Sequence, residues 1–398
     1  MKTKSRVFVF ILLVGFIFFI TETIIQAKEV RGVTDDTIKI GVIADLTGPI
    51  ANIFLPVLEG YKNYMQYINN QGGIHGRKIK NIYEDSRYTI PGDIAAFKKL
   101  VFRDNILAMF GASSTGGTIA LFPQIEKLKV PTIAASQAES MYIPPKRYVF
   151  CTAAGYSEEI KVLFDFMMKD LSARNPRVGI VYPDVEFGKT NLEQAKKSAK
   201  HYGVDIYPEV LNMGALEASS QVMLLKRDKV THVIVVQVVA GAICFLREAR
   251  KFKLNVTLLG TGWTCNEDVI KGSGEAANNY YGVNSYSSWY DDTPGMARLR
   301  EITLKLNPKK KDYSKNYSKG WLCAMILEEG MKRAGRNLDS ESLVAAMETF
   351  KNFDTGGVSG YITYGTNERM GGEYLRMYKA DLENNKLIPV GDWRKAAH

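Results

Sequence analysis

The chain has little of what catalysis or metal binding usually requires. Its 398 residues include four histidines and four cysteines, and none of these stand at the spacing of a zinc site or a CxxC motif. A G-x-S-x-G turn is missing, and no lysine follows the glycines of residues 111–118 as it would in a phosphate-binding loop. The sequence therefore predicts a protein that is not an enzyme and that has no cofactor and no metal site.

The four cysteines are scattered along the chain, and the sequence cannot pair them into disulfides. They are Cys151, Cys244, Cys265 and Cys323, and three of them lie in apolar surroundings. Buried free thiols fit that pattern best. Their spacing does not define a pairing, so their disulfide state is left open.

A strong positive charge is present without the features of nucleic-acid binding. The net charge is +10, but the one tight basic run, Lys309-Lys310-Lys311, has no interleaved aromatic residues. Such a run is typical of a solvated loop. We therefore expect no nucleic-acid partner.

The only long apolar run lies at the start of the chain. Lys2, Lys4 and Arg6 precede the 14 apolar residues 7–20, a stretch too short for an ordinary spanning helix. Ile25-Gln26-Ala27 makes a tolerable cleavage site. We expect residues 1–27 to be a signal peptide cleaved after Ala27, which places the protein in the periplasm; the alternative is an uncleaved anchor.

The stretch 34–85 reads as one β-α-β unit. Residues 38–43 have the β-branched composition of a buried parallel strand, and residues 46–49 form a turn. Pro56 suggests a helix start, since proline fits the first helical position. Gly72-Gly73 ends that helix before a second strand. Open α/β sheets bind ligands at the carboxyl ends of such strands.

The same alternation continues through two halves of the chain. Strands and helices alternate to about residue 150 and then again to about residue 285. Residues 293–352 are mostly helical, and three short strands are expected near the end, at 360–364, 374–380 and 387–391. The pattern predicts an α/β protein with two doubly wound parallel-sheet lobes.

The first unit also carries a family signature. The combination of Leu-Thr-Gly-Pro, a long helix, NNQGGIHGRKI and a strand ending in Asp85 resembles the solute-binding proteins of bacterial ABC importers, in their branched-chain amino acid branch. The resemblance extends over residues 38–393. It implies the type I periplasmic-binding fold, with two lobes joined by a three-segment hinge. It also implies a small-molecule solute and permease subunits as partners, and we expect a monomer.

The family pattern sets the expected lobe boundaries. Crossings between the lobes are expected near residues 152–155, 283–287 and 360–366. The first lobe would comprise residues 34–152 and 287–360, and the second lobe residues 153–286 and 366–394.

The loop 111–118 carries the strongest local chemistry. It follows a strand and precedes a helix, so its hydroxyl and N–H groups suit a carboxylate at a helix amino terminus. The alternative is a turn that only caps the helix. The resemblance implies that the ligand carboxylate is held here and at the end of the next strand, by Ser113, Ser114, Thr115, Ser136 and Gln137.

The family's acceptor for an α-ammonium group is not found where it is expected. The matching loop, residues 259–264, contains Trp263 but no acid, and Gln237 is the nearest polar group beside two valines. We therefore expect a carboxylate or amide solute with an apolar or aromatic body. Other residues that could line its pocket, unless they serve ordinary packing, are Phe54, Tyr142 and Phe187.

One rival function shares this shape. A ligand-sensing module of an extracellular receptor would have the same two lobes and the same cleft. The sequence leaves the choice between importer and sensor open, together with the identity of the solute.

Overall fold

The computed structural model describes residues 30–397, and its strands form three sheets. The predicted signal peptide, residues 1–27, lies outside the described residues. The strands are β1 (Thr37–Ala44), β2 (Lys78–Asp85), β3 (Ala108–Phe110), β4 (Thr132–Ile133), β5 (Val149–Phe150), β6 (Arg177–Tyr182), β7 (Asp205–Val210), β8 (His232–Val235), β9 (Thr257–Gly260), β10 (Tyr280–Asn284), β11 (Ile362–Gly365), β12 (Glu368–Gly372), β13 (Leu375–Asp381) and β14 (Lys386–Arg394).

Helices alternate with these strands in both halves of the chain. They are α1 (Ala51–Asn70), α2 (Ile90–Lys98), α3 (Thr115–Leu128), α4 (Tyr156–Asp165), α5 (Glu186–Tyr202), α6 (Ser219–Arg227), α7 (Val239–Lys251), α8 (Glu267–Ser273), α9 (Pro294–Leu306), α10 (Lys315–Ala334) and α11 (Ser340–Met347). Segments of π-helix, residues 99–103 and 166–170, extend α2 and α4.

Each lobe is built on one large sheet. The first lobe has the order β2-β1-β3-β4-β5, with every neighbouring pair parallel. The second has the order β14-β13-β10-β9-β8-β6-β7, in which the chain from β6 to β10 is parallel. The predicted fold class, two doubly wound parallel-sheet lobes, is confirmed. The second sheet also gains β13 and β14, which run antiparallel at one edge.

Both sheets reverse their strand order at one point. The reversal lies at β1 and β3 in the first sheet and at β6 and β8 in the second. Loops leaving the carboxyl ends of the strands diverge at such a point and leave a crevice between them. The fold therefore offers one crevice in each lobe.

Helix α1 corrects one detail of the sequence analysis. The helix begins at Ala51, and Pro56 lies inside it rather than at its first position. Proline's fixed φ fits a helix, and its missing N–H removes one hydrogen bond. The buried face of α1, which includes Phe54, Val57 and Tyr61, offsets that loss by packing against the core. Gly72 and Gly73 end the helix as expected, both with positive φ.

The strands β11 and β12 form a hairpin of their own beside β5. The backbone N–H of Cys151 donates to the carbonyl of Arg369 at 2.8 Å, which joins the hairpin to the end of the first sheet. The lobe boundaries and crossings given above stay predictions.

Candidate ligand-binding site

A small cavity lies where loops from the two sheets meet. Its free volume is about 20 Å³. The lining residues follow the carboxyl ends of β1, β2, β3, β6, β8 and β9 or begin α4, and there is no acidic or basic side chain among them. They are Ile50, Ile53, Tyr88, Ser113, Thr115, Tyr156, Phe187, Val238 and Trp263.

The small cavity is a better candidate for the solute site than a larger cavity on the first lobe. The larger cavity, of about 570 Å³, lies between α1, α9 and α10. It is away from both strand-order reversals and lacks the hydroxyl-rich loop. Size alone does not define a solute site, whereas the small cavity coincides with the two crevices that the topology creates.

The loop 111–118 meets the cavity through two of its three hydroxyl residues. Ser113 and Thr115 line it at the amino terminus of α3. Ser114 is the N-cap of that helix: its Oγ accepts from the N–H of Gly117 at 2.9 Å and donates to Asp93 at 2.9 Å. Burial raises the pKa of Asp93 to about 6. The Ser114 hydroxyl is therefore used to cap the helix, and Ser113 and Thr115 are the residues of this loop that line the cavity.

The end of β4 extends this polar edge. Ser136 lies 2.9 Å from Thr115, between their hydroxyl oxygens. The carbonyl oxygen of Gln137 accepts from the backbone N–H of Tyr156 at 2.9 Å, so the first sheet is bonded directly to the start of α4. Ser136 and Gln137 are both buried next to the cavity without lining it.

Three aromatic rings form the opposite wall. Trp263 donates its indole N–H to the hydroxyl of Tyr156 at 3.1 Å. Tyr156 in turn packs edge-on against Phe187, with 5.2 Å between ring centroids. An apolar or aromatic solute would bury its body against this wall while its polar end met the hydroxyls of the first lobe.

Three candidates from the sequence are held elsewhere. Phe54 is fully buried and stacks on Phe110 in the first core. Tyr142 donates to Glu158 at 2.8 Å. Gln237 donates from its side-chain amide to the carbonyl of Leu211 at 2.6 Å. None of the three lines the cavity.

Two buried charged residues were missed by the sequence analysis. Glu159 of α4 accepts from the N–H of Gly262 at 2.9 Å, and burial raises the pKa of its carboxyl to about 8. Lys319 of α10 places its Nζ 4.1 Å from the ring centroid of Trp263. A lysine inside an otherwise apolar helical stripe, next to Trp321 and Leu322, was the available signal. Nothing in the sequence distinguishes Glu159 from its neighbour Glu158.

The later acid Glu267 does not line the cavity. Glu267 is buried away from the cavity, where it accepts from Ser288 and from the backbone N–H of Lys315. No group of three or more histidine, cysteine, aspartate or glutamate residues suited to a metal occurs within residues 30–397. The cysteines are free thiols, three of them buried and Cys244 half-buried.

Comparison with known proteins identifies the family. The family model described as periplasmic binding protein matches residues 37–386. The chain belongs to the periplasmic binding protein family. This confirms the resemblance seen in the sequence. Proteins of this family are binding proteins that act outside the cytoplasm.

Individual relatives are distant but cover nearly the whole chain. The Leu/Ile/Val-binding protein BraC3 of Rhizobium johnstonii is 21% identical over 374 residues, which are 93% of this chain and 98% of the relative. A branched-chain amino acid ABC transporter structure from Thermus thermophilus with bound valine is 24% identical. It superposes with a TM-score of 0.85 and covers 92% of this chain and 98% of that one.

A second similar structure is that of a protein named for a different solute. The fatty acid ABC transporter substrate-binding protein from Thermomonospora curvata is 21% identical, with a TM-score of 0.82 over 93% of this chain and 95% of that one. At these identities the two structures establish the shared fold. They also show that proteins of this shape are described with solutes that have or lack an amino group.

No helix in the part of the chain described by the structure, residues 30–397, is both long and apolar enough to cross a bilayer.

Proposed function

We propose that this protein captures a small carboxylate or amide solute outside the cytoplasm and delivers it to the permease subunits of an ABC importer. The family supports the binding role, and both solved relatives cited above are described as parts of ABC transporters. Capture would occur by hinge closure, in which the solute bridges the lobes and shifts an equilibrium between open and closed forms. We further propose a monomer whose signal peptide is cleaved after Ala27.

One observation supports the solute class above the others. Ser113 and Thr115 stand at the start of α3, while the remaining lining residues are apolar or aromatic. Hydroxyls at a helix amino terminus favour an anionic oxygen. An ammonium group would lose its water in this cavity and would meet no free carboxylate. We propose a carboxylate with an aliphatic or aromatic body and no α-amino group.

Paired ligands test this proposal. Thermal shift and calorimetry would compare phenylacetate with phenylalanine, and 4-methylpentanoate with leucine. We expect each acid to raise the melting temperature more than its amino acid, because a ligand that binds only the folded state stabilises it. Tighter binding of leucine or phenylalanine would contradict the proposed solute class while leaving the binding role intact.

Two substitutions test whether the solute binds at this cavity. Thr115→Ala should remove a hydrogen bond to a charged group and weaken binding by about 1.5–3 kcal/mol. Trp263→Ala should remove most of the affinity, because it removes the largest lining ring. Binding should also change tryptophan fluorescence in the native protein but not in the Trp263→Ala variant. Native affinity in both variants would place the solute elsewhere.

A further inference from the structure

A buried lysine stands behind the aromatic wall of the cavity. The side chain of Lys319 leaves α10, and the residue is 1% exposed. Its Nζ donates to the carbonyl of Ala135 at 3.1 Å and lies 4.1 Å from the centroid of Trp263 and 5.9 Å from that of Tyr286. A carbonyl oxygen and two ring faces are an environment suited to an ammonium group.

Trp263 separates this lysine from the solute. The indole lines the cavity, whereas Lys319 lies over the ring without lining the cavity, which fits an approach from the side away from the cavity. The indole N–H is bonded to Tyr156, and its loop is fixed by the bond from Gly262 to Glu159. These two bonds restrain the indole and therefore the position of Lys319 relative to the cavity-facing side of the ring.

Charge acts across such a ring. An ionic group on the other face would lie about 8 Å from Nζ, since van der Waals contact takes up about 4 Å on each side. At an effective dielectric constant of about 20 this separation changes a binding constant by about thirtyfold, favourably for an anion and unfavourably for a cation. Both partners are buried, so salt screens them only weakly.

One buried carboxyl, that of Glu159, interacts electrostatically with Lys319. Glu159 is the buried acid close to Lys319, and burial raises the pKa of Glu159 to about 8. Near neutral pH much of that carboxyl is therefore protonated. Burial lowers the pKa of Lys319, and Cys323, Glu159 and Cys151 oppose that shift.

We propose that Lys319 is the specificity-determining residue of the cleft, a positioning residue that supports Trp263 from behind and selects anionic solutes against cationic and zwitterionic ones. This inference rests on the proposed function and adds the cause of the solute preference. Lys319 does not touch the solute. It acts through the electrostatic potential on the cavity side of the indole.

A charge series on one ring provides the test. Phenylacetate, phenylacetamide and phenethylamine share a ring and differ in charge, and calorimetry would give their affinities for the native protein and for Lys319→Met. We expect the native order anion, amide, amine. In Lys319→Met the preference for the anion over the amine should fall by about tenfold or more. Lys319→Arg, which keeps the charge, should restore the preference.

Lys315→Met is the matched control. Lys315 is buried one turn earlier on the same helix, with its Nζ over the ring of Tyr378, a residue that does not line the cavity. Loss of this lysine should leave the ratio of affinities unchanged even if stability falls. A ratio is used because damage to the fold weakens all three ligands together.

The possible failures are distinguishable. An unchanged ratio in Lys319→Met, or an equal change in Lys315→Met, would overturn the role of Lys319 alone. If the Lys319 variants do not fold, the affinities of the native protein provide the test. Equal affinities for phenethylamine and phenylacetamide would contradict the inference. Native protein that binds none of the three ligands, nor 4-methylpentanoate, overturns the proposed solute class and this inference with it.

Discussion

Glu159 is a buried residue of α4 that also contacts the loop of the candidate site. Its carboxyl is buried at the start of α4 and accepts from the N–H of Gly262, in the loop that carries Trp263. A β-carbon on Gly262 would lie only 2.5 Å from a carboxyl oxygen of Glu159, so a larger residue at this position would force the Glu159 side chain to move. The close contact therefore links the loop of Trp263 to α4.

The raised pKa of Glu159 makes stability depend on pH. Its ordinary value is 4.5 and its value in the folded protein is about 8, so the folded state binds the proton more tightly. The stabilisation from this proton is fully present below about pH 4.5 and is lost as pH rises through about 8. Urea unfolding should therefore show the native protein losing stability relative to Glu159→Gln, by up to about 1.4 kcal/mol per pH unit in that range.

A surface substitution controls for the removal of a carboxylate. Glu193 is exposed on α5 and pairs with Lys196. Across the same pH range, the native protein should not lose stability relative to Glu193→Gln as it does relative to Glu159→Gln. Parallel pH profiles for the native protein and Glu159→Gln would show that Glu159 titrates alike in both states.

At the scale of elements, the helix α3 combines a cap and a candidate site in three consecutive residues. Ser113 and Thr115 line the cavity, and Ser114 between them caps the helix. The Ser114 side chain is bonded to Gly117 and Asp93, whereas its two neighbours line the cavity, so the two roles fall on different residues. Substitution of Ser114 therefore tests stability, and substitution of Thr115 tests binding.

Ser114→Ala should destabilise the first lobe. It removes the acceptor for the N–H of Gly117 and the hydroxyl that donates to buried Asp93. Loss of a cap costs about 0.5–2 kcal/mol, and an unsatisfied buried carboxyl adds to it. Ser314→Ala is the control, since Ser314 occupies the same position on α10 without a capping bond. Equal unfolding free energies for the two variants would contradict the capping role.

The elements were more accessible to sequence reasoning than the contacts between them. Strand β1 was expected at residues 38–43 and spans Thr37–Ala44, because its composition depends on burial within one sheet. The placement of loop 111–118 between a strand and a helix was also confirmed. Phe54, on the other hand, sits on a helix face whose direction depends on the packing of α1 against Phe110, and periodicity does not reveal which buried face meets a cavity.

The remaining site residues depend on long-range packing. Lys319 and Trp263 are far apart in sequence and meet only because α10, which follows β10 along the chain, packs back against the loop after β9. The sequence therefore predicted that Trp263 lines the pocket but did not reveal that Lys319 lies over its ring. The missing ammonium acceptor was visible in the sequence, and the buried lysine that we propose as a cause of the solute preference was not.

At the scale of the whole molecule, a few polar contacts join the two lobes beside the cleft. Tyr142, which follows β4, donates to Glu158 of α4 at 2.8 Å. Ser157 of α4 donates to Glu139 at 3.3 Å nearby. Helix α4 packs against α5 and β10, which the sequence assigns to the second lobe. If the protein closes by the proposed hinge motion, we expect these bonds to form only when the lobes are together and to stabilise the closed form relative to the open one.

Tyr142→Phe should therefore shift the molecule toward its open form. The loss of one charge-assisted hydrogen bond is worth about 1.5–3 kcal/mol, and apparent affinity falls in proportion to the population of the closed form. We expect weaker binding of the preferred solute and, by small-angle X-ray scattering, a larger radius of gyration without solute but the native value at saturation. The control is Tyr148→Phe, which removes a 2.6 Å bond to Glu341 within the first lobe. Equal effects of the two substitutions, or an unchanged radius in Tyr142→Phe, would show that this contact does not govern closure.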